Sequence, residues 1–86
     1  VQHQFGVRLR QLRRESGLLQ RDLERVLNVG PGVASQYERG LREPGFDLLL
    51  AVADYFDVTV DFLLGRPGAE RLPERPLDKR RSFMFH

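Results

Sequence analysis

Apolar residues recur at helical spacing through most of the chain. Phe5, Leu9 and Leu12 fall at i, i+4 and i+7, with Arg8, Arg10 and Arg14 largely off that stripe. This spacing predicts a helix from Phe5 to about Glu15, preceded by a frayed Val1 to Gln4 and ended by Ser16-Gly17. Leu23, Val26 and Leu27 mark a second helix, and Asn28-Val29-Gly30 interrupts it before Pro31 opens a segment that stops at Gly40. Asn28 tolerates the left-handed backbone of a helix exit, Gly30 suits an N-cap, and Pro31 suits the first helical position, where its missing N–H costs nothing. After the loop Leu41-Arg42-Glu43-Pro44, Leu49, Val52, Ala53 and Phe56 give a fourth stripe from Phe46 to Phe56. Thr59 is placed to cap a fifth helix, Val60 to Leu64, with Asp61 in its positively polarised first turn and Phe62, Leu63 and Leu64 closing the core. The expected class is all-α.

Two short helices joined by a tight turn that carries an apolar side chain, here Val29, form a helix-turn-helix. In that arrangement the second helix can be offered to a DNA major groove. Phe5-Gly6, Leu9, Leu12-Arg13, Gly17-Leu18, Gln20, Leu23, Leu27 and Val29 fit this pattern in order. Tyr37-Glu38-Arg39-Gly40, Arg42, Pro44, Val52-Ala53, Val58, Asp61 and Leu63-Leu64 continue it. In this ordered set the chain resembles the phage-repressor and Cro type of domain, the xenobiotic-response-element family, from Phe5 to Gly65. The resemblance implies a five-helix, lambda-repressor-like helix-turn-helix domain over residues 1–65, followed by a charged, Pro-containing tail over 66–86. It also implies that Arg13 and Glu38 form a partly buried ion pair tying helix one to the end of helix three, with a phosphate as an alternative partner for Arg13.

The chain departs from the family at Pro31, Gly32 and Val33, where relatives often place Arg, Gln, Ser or Thr, and at three further positions. Leu19 stands where a hydroxyl residue usually caps helix two, which is expected to cost roughly 1 kcal/mol of capping. Glu24 replaces a usual Ala, and Ala34 a usual Ile or Val. That exchange conserves volume if the Glu24 stem lies over Ala34 with its carboxylate reaching out.

Charge adds direction. Residues 1–45 carry eight Arg against five acids, residues 46–65 carry four Asp and no base, and residues 66–86 carry six bases against three acids. The basic side holds the helix-turn-helix, as a nucleic-acid face requires. There is no cysteine, hence no disulfide frame or cysteine zinc site. Asp54, Asp57 and Asp61 read as capping and solvated acids rather than metal ligands, and no cofactor is implied. The two His stand near opposite ends and no Gly-rich phosphate loop follows a strand, so an enzyme is not expected. The chain lacks an apolar run of membrane-spanning length, and its first residues lack a signal-peptide core, so a cytoplasmic setting without membrane contact is expected.

The resemblance assigns DNA contacts position by position. Gln20 and Arg21 at the start of helix two meet phosphate, Arg39 and Arg42 meet the backbone, and Pro31, Gly32, Val33 and Gln36 face base edges. Gln36 can pair bidentately with adenine, Val33 can only pack, and Pro31 and Gly32 offer no side-chain hydrogen bond. Leu48, Leu50, Ala51 and Tyr55 are more apolar surface than one inward face of helix four can use, which points to a subunit contact. The leading expectation is a homodimeric transcriptional regulator, a repressor, on double-stranded DNA with an inverted-repeat operator. The alternative is a protein-interaction module, antitoxin-like or a co-regulator, that docks a partner through these helices and Phe83, Met84 and Phe85.

Overall fold

The computed structural model describes residues 2–66, all-helical and without strands among them: α1 (Gln2–Glu15), α2 (Gln20–Leu27), α3 (Val33–Glu38), α4 (Phe46–Phe56) and α5 (Val60–Leu64). Residues 67–86, including Phe83, Met84 and Phe85, lie outside the described residues. Helix α1 packs on α3 and α5, α2 packs on α3 and α4, and α4 packs on α5. The enclosed core is Phe5, Leu9, Leu12, Leu23, Ala34, Tyr37, Val52, Ala53, Val58, Phe62 and Leu63. All five helices therefore contribute to one apolar interior, with Phe5 and Tyr37 meeting edge to face at 5.8 Å.

Several boundaries differ from the sequence expectation. Helix α1 begins at Gln2, not Phe5, and the Gln4 side chain lies against Gly65 at the end of α5, so tertiary packing extends the helix past its last core residue. Leu64 is only half-buried, whereas Phe62 and Leu63 are enclosed. The Thr59 cap is as expected, its Oγ1 accepting the Phe62 N–H at 3.0 Å. Asn28 adopts the left-handed conformation at the α2 exit. Leu19 caps α2 without a side-chain bond, yet its own N–H donates to Asp22 Oδ2 at 2.9 Å. That is half of a capping box, and it offsets part of the missing cap.

Helix α3 starts two residues later than expected. Gly30 and Pro31 belong to the turn, and the N-cap is Gly32, whose left-handed φ of +86° only glycine adopts without strain. The helix stops as expected at Gly40, where the Gly40 N–H donates to the Tyr37 carbonyl and the Leu41 N–H to the Gln36 carbonyl. These two bonds make a Schellman closure.

Gly6 sets the distance between α1 and α3. A Cβ built there would lie 2.4 Å from the Tyr37 carbonyl oxygen and 2.8 Å from that of Glu38, both backbone atoms. Gly6→Ala is therefore expected to cost about 1–3 kcal/mol despite its better helix propensity, read as a lower urea midpoint at unchanged slope. An unchanged midpoint would show that α3 can move away freely.

Candidate nucleic-acid interface

Helix α3 turns Ala34, Tyr37 and Glu38 inward. On the opposite side are Val33 and Gln36, continued by the flanking caps Gly32 and Arg39; Gly32, Gln36 and Arg39 are exposed and Val33 is half-buried against the core. Arg21, Pro31 and Arg42 are also exposed, and Gln20 is half-buried. Because helix three begins only at Val33, Pro31 and Gly32 sit in the preceding turn, and Val33 and Gln36 are its outward side chains one turn apart.

The frame behind this face is a bonded charge cluster. Arg13 Nε donates to Glu38 Oε2 at 2.6 Å and Arg13 Nη2 to Glu38 Oε1 at 3.1 Å, a two-pronged pair. Arg13 Nη1 donates to the Leu18 carbonyl at 2.9 Å, and Gln20 Nε2 donates to Glu38 Oε1 at 3.0 Å. The side chains of Arg13 and Glu38 are 11% and 3% exposed. The expected ion pair is present, and it occupies Arg13 on the protein side rather than on a phosphate. Gln20, read from sequence as a phosphate contact, is also a member of this cluster. It joins the first residue of α2 to the last residue of α3.

At the other end of α3, Glu24 departs from expectation. It is buried, and its carboxylate does not reach out: Oε2 accepts the Gly32 N–H at 2.9 Å and the Ala34 N–H at 3.0 Å. A negative charge therefore closes the positively polarised start of α3, in place of the side-chain cap that Gly32 lacks. Sequence reasoning missed this because cap signals are local, and Glu24 lies eight and ten residues from its partners.

Arg42 is drawn toward α3 from the loop. Its Nη1 donates to Gln36 Oε1 at 3.0 Å, and its guanidinium stands 5.7 Å from the centre of the Tyr37 ring. On α4, Leu48 is half-buried against the core, whereas Phe46, Leu50, Ala51 and Tyr55 are exposed, Phe46 at 70%. The apolar excess is thus real, but Leu48 is spent inward. Among the described residues no helix is long and apolar enough to cross a membrane.

Comparison with known proteins places this arrangement. A helix-turn-helix family model (HTH_3) matches residues 9–63. The chain is 35% identical over 73 residues to the HTH-type transcriptional regulator ImmR of Bacillus subtilis, covering 85% of this chain and 58% of ImmR. It is 28% identical over 68 residues to the uncharacterized HTH-type transcriptional regulator YqaE of the same organism, covering 79% of this chain and 59% of YqaE. The chain thus spans somewhat under two thirds of the length of these relatives. A crystal structure of a transcriptional regulator from Listeria innocua superposes with a TM-score of 0.70 at 27% identity, covering 99% of this chain and 77% of that one. With the turn, the Arg13–Glu38 tie and the family match in agreement, the chain belongs to the Cro/C1-type helix-turn-helix family.

Proposed function

We propose that this chain is the DNA-reading domain of a transcriptional repressor that binds an inverted-repeat operator as a homodimer, with α3 in the major groove. The observation that carries the reading is the exposed Gln36 of α3, flanked by Arg39 and Arg42 and held on a frame bonded at both ends of the helix. Its relatives ImmR and YqaE are named as transcriptional regulators, which supports the same role here. Arg21, Arg39 and Arg42 supply the sequence-independent attraction to phosphates, and Gln36 and Val33 supply contact with base edges. The exposed Phe46, Leu50, Ala51 and Tyr55 of α4 are the surface for the second subunit, since this much apolar side chain left in water favours self-association.

Selection of bound duplexes from a random pool, followed by affinities across a salt series, tests this reading. The expected result is a palindromic consensus bound at least ~1000-fold tighter than random DNA. Gln36→Ala is expected to cost roughly 1 to 3 kcal/mol on that consensus and much less on random DNA. Weak binding with only an electrostatic salt slope would overturn the reading and favour the protein-interaction alternative, to which the lack of polar side chains at Pro31, Gly32 and Val33 points.

A further inference from the structure

A glutamine reads adenine with two prongs, its Oε1 accepting from the adenine N6 amino group while its Nε2 donates to N7. In this protein the first prong is engaged. Arg42 Nη1 donates to Gln36 Oε1 at 3.0 Å, and the guanidinium lies over the Tyr37 ring, 5.7 Å from its centre. The second lone pair of Oε1 remains, but an amino group using it would lie next to the full positive charge of the guanidinium, which weakens adenine reading relative to a base that offers only acceptors. What Gln36 and Arg42 jointly present outward is a row of donors: the Nε2 hydrogens of the amide and the remaining N–H groups of the guanidinium. Both side chains are exposed, so this row stands at the surface and not inside the fold.

Among the four bases, guanine alone offers two neighbouring acceptors, O6 and N7, to the major groove. Adenine and cytosine each offer an amino donor there, and thymine offers one acceptor beside a methyl group. We propose that Gln36 and Arg42 act as one reading unit that selects guanine in each half-site, with Arg42 a specificity-determining residue as well as a source of positive charge. This rests on the reading of the α3 face as a DNA surface. It changes the base expected from glutamine chemistry alone.

The test uses the full 86-residue chain and synthetic duplexes carrying the selected consensus, with all four base pairs placed in turn at each half-site position. Gln36→Ala first identifies the position that Gln36 reads. At that position the native protein is expected to bind guanine about tenfold or more tighter than adenine. Arg42→Met keeps the stem and removes every donor, leaving Gln36 Oε1 open. It is expected to bring adenine level with guanine or above it at that position alone, on top of a uniform loss of affinity. A native preference for adenine there would overturn the proposal. So would Arg42→Met weakening all four base pairs equally, because Arg42 would then contact the backbone only. Either of those outcomes leaves the helix-in-groove reading standing, whereas the absence of any consensus would remove both.

Discussion

Glu38→Ala is expected to lower the unfolding free energy by about 3–5 kcal/mol, because it strands the Arg13 guanidinium in a site that is only 11% exposed. The carboxylate accepts three bonds, two from Arg13 and one from Gln20, and at 3% exposure little water reaches it. For a domain of this size each kcal/mol moves the melting temperature by roughly 4–8 °C, so the midpoint is expected to fall by at least ~12 °C. The loss belongs to the broken pair rather than to missing volume, and a second variant separates the two. Arg13→Met combined with Glu38→Leu removes both charges and fills the space with apolar atoms, and it is expected to recover most of the lost stability. If the double variant melts as low as Glu38→Ala, the bonds that the pair makes to the Leu18 carbonyl and to Gln20, and not the stranded charge, carry the stability. A drop below about 1 kcal/mol for Glu38→Ala would mean that the pair is solvated and ties nothing together.

The same cluster shows what could and could not be read from the amino-acid order. Phe5, Leu9, Leu12, Leu23, Val52, Ala53 and Leu63 are all buried, as their spacing requires, because burial on one face leaves a period in the sequence. Arg13 and Glu38 became legible as a pair only through the family resemblance, since no local rule joins residues 25 apart. Helix three starts two residues beyond its expected position for a physical reason. Gly30-Pro31 satisfies the local preferences of a helix start, yet the chain leaves Gly32 in a left-handed turn and begins the helix at Val33, where Glu24 meets it from α2. Gln36 and Arg42 were each placed at the DNA only by the family resemblance, Gln36 at a base edge and Arg42 at the backbone. Their bond was not legible, because it forms across the reversal at Gly40, between side chains on different elements.

Glu24 carries the second large expected effect, and it separates two explanations of one residue. If the stem matters because it fills space over Ala34, Glu24→Met retains the function and only Glu24→Ala is destabilising. If the carboxylate matters because it closes the start of α3, both variants lose the acceptor shared by the Gly32 and Ala34 N–H groups. The geometry favours the second explanation: both bonds are near 3 Å, and Ala34, whose N–H is one of the donors, is buried, so water does not readily replace that bond. Glu24→Ala is therefore expected to cost about 2–4 kcal/mol and Glu24→Met nearly as much, measured by chemical denaturation. Glu24→Gln keeps an accepting oxygen without the charge and is expected to lose roughly 1 kcal/mol. Met equal to the native protein would return the residue to a packing role. The link to function follows from position, because the two N–H groups held by Glu24 flank Val33, the first outward side chain of α3. Once they are released, the start of the helix frays, and Glu24→Ala is expected to lower affinity for the consensus duplex more than affinity for random DNA. Equal losses on both would confine Glu24 to the stability of the fold.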